Sequence, residues 1–573
     1  MRPIAIWSPA EVDGAPAFVR PPPGPFGDHW ADRRVIPLRS PAPRRVVLLG
    51  ESAAAGYLLA PHLTPAKALQ ALLGPAVDVV DLARTNERLG GLVATAEAAL
   101  QLAPDVIVVF AGNNWNLLET PRMSPFFPEE EARRGYAAAL EVGGLLGPAQ
   151  AAWSALAGAA RRALARLAGL GPRLVVVVPE VNLLDWPARQ PAPWLPGEGT
   201  AAWHRALAAG DAEATLRLDG GSTPTGFALL GRRLMAAGDT ARAEVALRAA
   251  ADSDRYASMA CLSAPRAGPS VQALLRSAAG AEVVDLPAIF RAATGALPGR
   301  RLFLDYCHLT PEGVWLAAAA IAGQLGWGQP GARAVLSPEA AVAACVGAAA
   351  HGVHRGLEGP LVGWWLERAL AVDEGLARAA IEDWVAARLG AAPAVLSPGQ
   401  LRGVGRTPQH GWRWPGLDAA LLDAAQGLGF AADGPPRAEL WTPLEGFYPD
   451  ALIFDDLPRR AAARAAWPES GIAVVGAAEA VEVVLRTPWA GKVSAWMDGV
   501  RLGEWAATAG WSRVRVRLPV GSGVRRLAVR WPMVEGPGEE RVEEAIGRLR
   551  RGLEGPVHPV FGEIFSVRVG PFR

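Results

Sequence analysis

The sequence predicts an α/β fold, a three-layer sandwich around a parallel sheet, followed by a helical region and a C-terminal β-sandwich domain. Three observations predict it. Five short runs are almost continuously apolar and β-branched, which is typical of strands covered on both faces. Helical patterns separate these runs, which indicates repeated βα units. After about residue 470, short strand patterns alternate with turn signals, as expected for a β-sandwich.

The five predicted parallel strands cover Arg44–Gly50, Val77–Leu82, Asp105–Gly112, Arg173–Glu180 and Glu282–Leu286. In an α/β sheet of this kind, ligands bind at the carboxyl ends of the strands. The residues that directly follow each run are therefore the first candidates for function.

The gap between the fourth and fifth runs is about a hundred residues, too long for an ordinary connection. Phe227, Gly231, Ala243 and Leu247 in this gap fall at the spacing of a tetratricopeptide repeat. The small residues Gly231 and Ala243 would let two antiparallel helices approach closely. A lone helix pair cannot bury its own apolar face. We therefore expect a helical insertion over about residues 195–275 that packs on the α/β domain as a lid or offers a surface to a protein partner.

Changes in composition along the chain predict the remaining domain boundaries. Residues 1–40 are rich in Pro and Gly and are predicted to form an extended arm, and residues 41–330 hold the α/β domain with its insertion. Residues 331–440 are predicted to be a helical region and linker, and residues 441–573 a β-sandwich-like domain. Strands of that domain are expected at Val481–Leu485, Val493–Met497, Val514–Leu518, Leu527–Trp531 and Ile564–Val569.

Charge and cysteine content exclude several classes of protein. The 573 residues include 57 basic and 56 acidic side chains, so no electrostatic footprint for nucleic acid is present. Three cysteines cannot form a disulfide framework. No apolar stretch reaches the ~20 residues of a membrane span, and no ordinary signal peptide is visible. We expect a cytoplasmic protein with reduced thiols.

Polar residues of catalytic type follow three of the predicted strands. Ser52 comes directly after the first strand, at a strand-to-helix turn that would expose its hydroxyl. Asn114 follows the third strand and can donate to an oxyanion. After the fifth strand, Asp305 and His308 lie just before a helix start marked by Thr310. Three residues apart, the carboxylate can orient the imidazole while the other ring nitrogen faces a serine.

The order GxS, GxN and DxxH on five βα units resembles the SGNH, or GDSL, hydrolase superfamily over about residues 42–326. The resemblance implies a flavodoxin-like three-layer sandwich with a five-stranded parallel sheet. It also implies a serine hydrolase that works through an acyl-enzyme and needs no metal or organic cofactor. In that mechanism Ser52 would be the nucleophile, His308 the general base and Asp305 the carboxylate that orients it.

The resemblance further implies an oxyanion hole formed by the main-chain N–H of Ser52, the side chain of Asn114 and a donor from the second block. That block usually supplies a Gly, and its place falls here on Asn86. The first block usually reads Gly-Asp-Ser, whereas this chain has Glu51 before the serine. Trp115 stands where an acidic residue is common, which predicts an apolar or stacking wall for the substrate.

Other polar residues leave alternatives open. Glu180 and Asn182 follow the fourth strand, and they either contact the substrate or simply form a turn. Cys345, His351 and His354 lie on an Ala-rich helical stretch without a second Cys at close spacing, so no metal site is predicted.

The sequence therefore predicts an esterase or acyl hydrolase that acts on an O-acyl ester. An acylated carbohydrate or another acylated small molecule is the expected substrate. The expectation of a sugar ester rests only on the β-sandwich and on the 21 Trp residues, most of which are expected in the core. Two alternatives remain. The same acyl-enzyme could transfer its acyl group to an acceptor other than water, or the chain could be a binding or scaffold protein that has lost its activity.

Overall fold

The computed structural model describes most of the chain. The described residues are 1–21, 33–85, 87–116, 147–188, 195, 198–253, 266–327, 335–354, 357, 359–389, 419–431, 434, 436–440, 463–465, 467–488, 490–533 and 560–571.

The N-terminal residues form a small antiparallel sheet in the order β1-β2-β3. Its strands are β1 (Ser8–Val12), β2 (Ala15–Val19) and β3 (Val35–Pro37). Asp13 and Gly14 both have positive φ, as a two-residue hairpin turn requires. The sheet buries Trp7 and Phe18 against the α/β core. The prediction of an extended arm did not include this sheet, because short Pro-containing strands with one buried face give a weak sequence pattern.

The next part of the chain contains a parallel sheet of five described strands in the spatial order β5-β4-β6-β7-β8. They are β4 (Arg44–Gly50), β5 (Val77–Asp81), β6 (Val106–Phe110), β7 (Arg173–Val178) and β8 (Glu282–Asp285). This order is that of a flavodoxin-like sandwich. All five predicted runs are strands, and the fold class is confirmed.

Helices cover both faces of this sheet. On β4, Val46 and Leu48 point into one core and Val47 and Leu49 into the other, which explains why the strand is apolar throughout. The helices on the first face are α1 (Pro65–Leu73), α9 (Leu286–Thr294) and α10 (Pro311–Leu325). Those on the second face are α2 (Leu89–Ala99), α3 (Gly147–Ala168) and α8 (Pro269–Arg276).

The insertion between β7 and β8 consists of helices that pack as neighbours. They are α4 (Gly199–Ala208), α5 (Ala212–Asp219), α6 (Pro224–Ala236) and α7 (Thr240–Ser253). The predicted close approach occurs at Gly231, where a Cβ atom would lie 2.6 Å from Cγ of Leu247. Leu247 also packs with Val181 and Leu183 after β7, so the insertion rests on the carboxyl edge of the sheet.

The helical region packs on the first face of the α/β domain. Its described helices are α11 (Pro338–His354), α12 (Gly359–Val372), α13 (Glu374–Leu389) and α14 (Ala419–Gly427). Val346 and Val353 of α11 join the same buried cluster as Val314 and Ile321 of α10. The region is therefore a further layer on the α/β domain. No helix among the described residues is both long and apolar enough to cross a membrane.

The C-terminal strands form a β-sandwich, as predicted. Its described sheets have the orders β10-β17-β12-β15 and β14-β13-β16-β11-β9. The strands are β9 (Arg437–Leu440), β10 (Ala463–Ala465), β11 (Glu469–Val475), β12 (Ala480–Arg486), β13 (Gly491–Met497), β14 (Val500–Ala507), β15 (Ser512–Arg517), β16 (Val524–Arg530) and β17 (Gly562–Val569). The five expected strands are all present, and β9 begins before the predicted boundary at residue 441. Trp531 is a core residue, whereas Trp511 is exposed beside Phe565.

Candidate active site

The segment after β4 positions Ser52. The main-chain N–H of Ala55 donates to the carbonyl of Glu51, which makes one helical turn. Gly56, at φ 71°, ends this turn, and the N–H of Tyr57 donates back to the carbonyl of Ser52. This is the Schellman pattern of a helix end. The predicted strand-to-helix turn is thus a single turn, and a regular helix begins only with α1.

The loop before α10 carries Asp305 and His308. Thr310 caps the helix, since its side chain accepts from the N–H of Gly313, and Pro311 is the first helical residue, as predicted. The loop closes on itself through a hydrogen bond from the N–H of Leu304 to the carbonyl of His308. The helix start therefore fixes the direction in which the loop presents its side chains.

Ser52, His308 and Asp305 form a continuous chain of contacts. Oγ of Ser52 lies 2.8 Å from Nε2 of His308, and Nδ1 of His308 lies 2.5 Å from Oδ2 of Asp305. Ser52 and His308 are 256 residues apart in the sequence, yet the parallel sheet brings them to one edge. All three are buried, with exposed fractions of 9% for Ser52 and 2% for both His308 and Asp305. A hydroxyl within hydrogen-bond reach of an imidazole base, which a carboxylate orients in turn, is the arrangement used for nucleophilic catalysis.

Hydrogen bonds and charge favour the ionised form of Asp305. Burial opposes the charge, but the charges of His308 and His351 and the hydrogen bonds from their rings outweigh it and hold the pKa of Asp305 well below its usual range. Oδ1 of the same carboxylate accepts the main-chain N–H groups of Cys307 and His308. Asp305 is therefore a stable negative partner for the imidazole.

Aromatic rings enclose His308. The ring of Tyr57 is tilted over it at a centroid distance of 4.3 Å, and the ring of Tyr306 meets it edge-on at 5.3 Å. These contacts limit rotation of the imidazole and reduce the access of water to it. The ring is thus held with one nitrogen toward Ser52 and the other toward Asp305.

Asn114 lies in a short 3₁₀ helix after β6, Asn113–Asn116. Its main-chain N–H donates to Glu51, and its side-chain Nδ2 donates to the carbonyl of Glu87 at 3.1 Å. A side-chain amide has two hydrogens. One is used to orient the group, and the second can donate to an oxyanion. Asn86, the third predicted donor, lies outside the described residues.

Glu51 links the serine turn to the loop of Asn114. Its Oε1 accepts the N–H of Gly112 at 3.1 Å, and its Oε2 accepts the N–H of Asn114 at 3.0 Å. Burial raises the pKa of Glu51 to about 8; these main-chain donors lower it in part, and the charge of Glu87 adds to the rise. Glu51 therefore ties the turn that carries Ser52 to the loop that carries Asn114.

Glu180 and Asn182 are buried and bind other residues of the protein. Glu180 forms a buried ion pair with Arg248 of α7 at 2.9 Å. The Asn182 side chain donates to the carbonyl of Asp305 at 2.9 Å and accepts the N–H of Asp185. Of the two interpretations that the sequence left open, this geometry favours the one in which both residues hold loops together.

Trp115 was predicted to form a wall for the substrate. The structure buries its ring in the second core, with Ala111 and Val271. This placement does not favour stacking on a substrate. Trp115 directly follows Asn114 in the 3₁₀ helix, and with three residues per turn the side chains of consecutive residues point to different sides.

His351 is a member of the site that the sequence did not predict. It lies on α11, and its Nδ1 is 2.8 Å from Oδ2 of Asp305. The sequence presented it only as a histidine in an Ala-rich helix, and no local spacing connects it with the DxxH block. Only the packing of α11 on the α/β core reveals the contact.

Asp305, Cys307 and His308 also place metal-ligand types close together, with their ligand atoms within 4.8 Å of one another. Both ring nitrogens of His308 are engaged, one by Ser52 and one by Asp305. The imidazole therefore has no nitrogen directed at a metal, and the cluster is better described as part of the serine site.

A cavity of about 180 Å³ lies beside the loop after β7. Leu184, Trp186, Arg232, Arg266 and Arg300 are among its lining residues. The ring of Trp186 contacts that of Tyr306, which in turn contacts His308. The cavity is therefore two ring contacts away from His308, and Ser52, Asp305 and His308 are not among its lining residues.

No protein-family model matches the chain, and no curated protein matches it. Solved structures similar to it include a family two carbohydrate esterase from Clostridium thermocellum, with 14% identity and a TM-score of 0.15. That match covers 24% of this chain and 32% of the other, so the chain spans about a third of that esterase.

Two further solved structures are similar over more of their length. The acetylxylan esterase Axe2 from Geobacillus stearothermophilus, in a mutant form, has 13% identity and a TM-score of 0.26; the match covers 50% of this chain and 97% of the other. A two-domain esterase active on acetylated mannans has 10% identity and a TM-score of 0.20, with 92% of each chain covered. Similarity at this level carries no argument about activity.

Proposed function

We propose that this protein is a serine esterase of the SGNH type. The observation that carries the proposal is the chain of contacts from Ser52 Oγ through the His308 ring to Asp305, at 2.8 and 2.5 Å. The hydroxyl of an ordinary serine is a weak nucleophile, and an adjacent imidazole base activates it by accepting its proton.

The geometry supports a two-step reaction. Ser52 Oγ attacks the ester carbonyl carbon as His308 Nε2 takes its proton, and the negative charge develops on the carbonyl oxygen. The Ser52 N–H and the Asn114 amide donate to that oxygen, with Asn86 proposed as a third donor. His308 then protonates the leaving alcohol, which departs and leaves an acyl-enzyme. Water, deprotonated by His308, releases the acid and restores Ser52.

The proposed substrate is an O-acyl ester of a sugar or of another small molecule. The cavity beside Trp186 would hold part of it, and its aromatic wall and guanidinium groups suit a polar ring with hydroxyl groups. Acetylated sugars and short acyl esters are therefore the first substrates to test.

Ester turnover by wild type and variants tests the proposal. Ser52→Ala removes the nucleophile, so we expect kcat to fall by about 10³- to 10⁶-fold. Ser512→Ala, in strand β15 of the sandwich, is the matched control and should keep the wild-type rate. Unchanged turnover in Ser52→Ala would contradict the proposal. No turnover of any ester by folded wild type would favour the scaffold alternative.

Acyl transfer is a second candidate, favoured by the burial of the site. The exposed fraction of Ser52 is only 9%, so a bound acceptor alcohol could compete with water for the acyl-enzyme. Product analysis with and without an added alcohol separates the two. A new ester in the presence of the alcohol would indicate transfer, and free acid alone would indicate hydrolysis.

A further inference from the structure

The carboxylate of Asp305 has contacts with two imidazole rings. Nδ1 of His308 is 2.5 Å from Oδ2, and Nδ1 of His351 is 2.8 Å from the same oxygen. His351 lies on α11, outside the segment in which the three catalytic blocks occur. The helical region thus contributes a side chain to the site.

The described contacts occupy both oxygens of Asp305. Oδ1 accepts the N–H groups of Cys307 and His308 at 2.9 and 2.8 Å, and Oδ2 faces the two rings. An ionised carboxylate has about four lone-pair directions. The two main-chain bonds to Oδ1 and the ring contacts at Oδ2 limit rotation of the carboxylate and keep Oδ2 directed at His308.

Packing also holds the His351 ring in place. Its side chain is buried, its ring meets Tyr57 edge-on at 5.2 Å, and it lies 5.6 Å from the ring of Tyr306. The neighbouring Ala349, Ala350 and Val353 are core residues. Both tyrosines also contact His308, so the two imidazoles share one aromatic enclosure.

We propose that His351 is a positioning residue for the serine site: its Nδ1, 2.8 Å from Oδ2 of Asp305, makes a polar contact that helps to hold the carboxylate that orients His308. The inference rests on the proposed esterase function and deepens it. It assigns a role to α11, because the α/β domain alone would lack one of the polar contacts that hold Asp305. Partners that orient a primary group in this way typically change activity by about 10- to 100-fold when removed.

Two substitutions at one position test the proposal. His351→Phe keeps the ring and its packing but removes the donor. His351→Asn loses ring volume but places an N–H at the same distance from Cα as Nδ1. The measurement is the second-order rate of labelling by a fluorophosphonate, which reports an activated serine. We expect the Phe variant to label about 10- to 100-fold more slowly than wild type, and the Asn variant to recover most of that loss.

A purely structural role predicts the opposite order, since Phe preserves packing and Asn leaves a cavity. Thermal unfolding of both variants and of His204→Phe, a buried imidazole in the insertion, controls for loss of folded protein. Equal labelling of wild type and the Phe variant, or faster labelling of Phe than of Asn, would overturn the inference and leave the esterase proposal intact. Wild type that is not labelled at all would overturn both.

Discussion

Glu51 shows how one residue connects the two sides of the candidate site. It precedes Ser52, the proposed nucleophile, and its carboxylate accepts main-chain N–H groups from the loop that carries Asn114. Burial is the dominant influence on it and raises its pKa to about 8. Near neutral pH the side chain therefore holds a proton that it would lose in the unfolded chain.

This pKa predicts a pH dependence of stability. The folded value of about 8 exceeds the ordinary 4.5, so the contribution of Glu51 is fully present below pH 4.5 and is lost as the pH rises through 8. Glu51→Gln does not titrate. We expect the free energy of unfolding of wild type, relative to Glu51→Gln, to decrease by a few kcal/mol over that window. Urea unfolding at several pH values measures it, and parallel pH profiles of the two proteins would contradict the prediction.

The motif residues could be predicted from the sequence because each block is local. Ser52 and Asn114 closely follow predicted strands, whose ends meet at one edge of a parallel sheet, and Asp305 and His308 lie just before a helix start marked by Thr310. His351 could not be predicted in this way. Its contact with Asp305 depends on how a separate helix docks, and no periodicity or spacing encodes that.

At the scale of elements, the single turn after β4 determines where the serine lies. Gly50 ends the strand where a Cβ would lie 2.1 Å from the carbonyl oxygen of Phe110. Gly56 ends the turn at positive φ, where a Cβ would lie 2.9 Å from both the carbonyl oxygen of Leu63 and Cα of Thr64. Backbone atoms cannot move aside as a flexible side chain can, so both positions require glycine.

Gly56→Ala should therefore destabilise the protein and impair the site. Gly14→Ala is the matched control, because Gly14 has φ 75° in the β1–β2 hairpin and open space around it. The control should show only the left-handed strain, about 1–2 kcal/mol. Gly56→Ala adds a backbone clash, so we expect a larger loss of stability and slower ester turnover in the protein that remains folded. Equal effects of both substitutions on stability and turnover would contradict this account of the turn.

Several strands of the sandwich were not predicted, and three of them give weak patterns for two different reasons. β9 and β10 are only four and three residues long. In β14 only Ala507 is fully buried, so the apolar pattern is diluted by exposed residues. Strands β4 to β7 of the parallel sheet are almost fully buried, and their continuous apolar runs made them recognisable.

At the scale of the whole molecule, specific contacts join the predicted modules. The insertion is linked to the α/β domain by the ion pair of Arg248 with Glu180, and His204 of α4 meets Trp467 and Phe561 of the sandwich ring to ring. The helical region shares a core with α10. Composition predicted the modules, but their docking depends on surfaces that come together only in the folded chain.

The buried ion pair predicts a large effect on stability. Arg248→Met would leave the carboxylate of Glu180, whose side chain is 1% exposed, without this partner, and breaking a buried pair costs about 3–5 kcal/mol. Arg233→Met breaks an exposed pair with Glu213 and should cost less than about 1 kcal/mol. Urea unfolding compares them. A small effect of Arg248→Met would show that the insertion is held mainly by apolar contacts such as that of Leu247.

We propose that Ser52 is a nucleophile activated by His308. The most direct test of this proposal is fluorophosphonate labelling followed by intact mass and peptide mapping, with wild type, Ser52→Ala and His308→Ala. We expect one phosphonyl group per wild-type chain, located on Ser52, and no labelling of either variant. Labelling that persists in Ser52→Ala, or folded wild type that does not react, would contradict it.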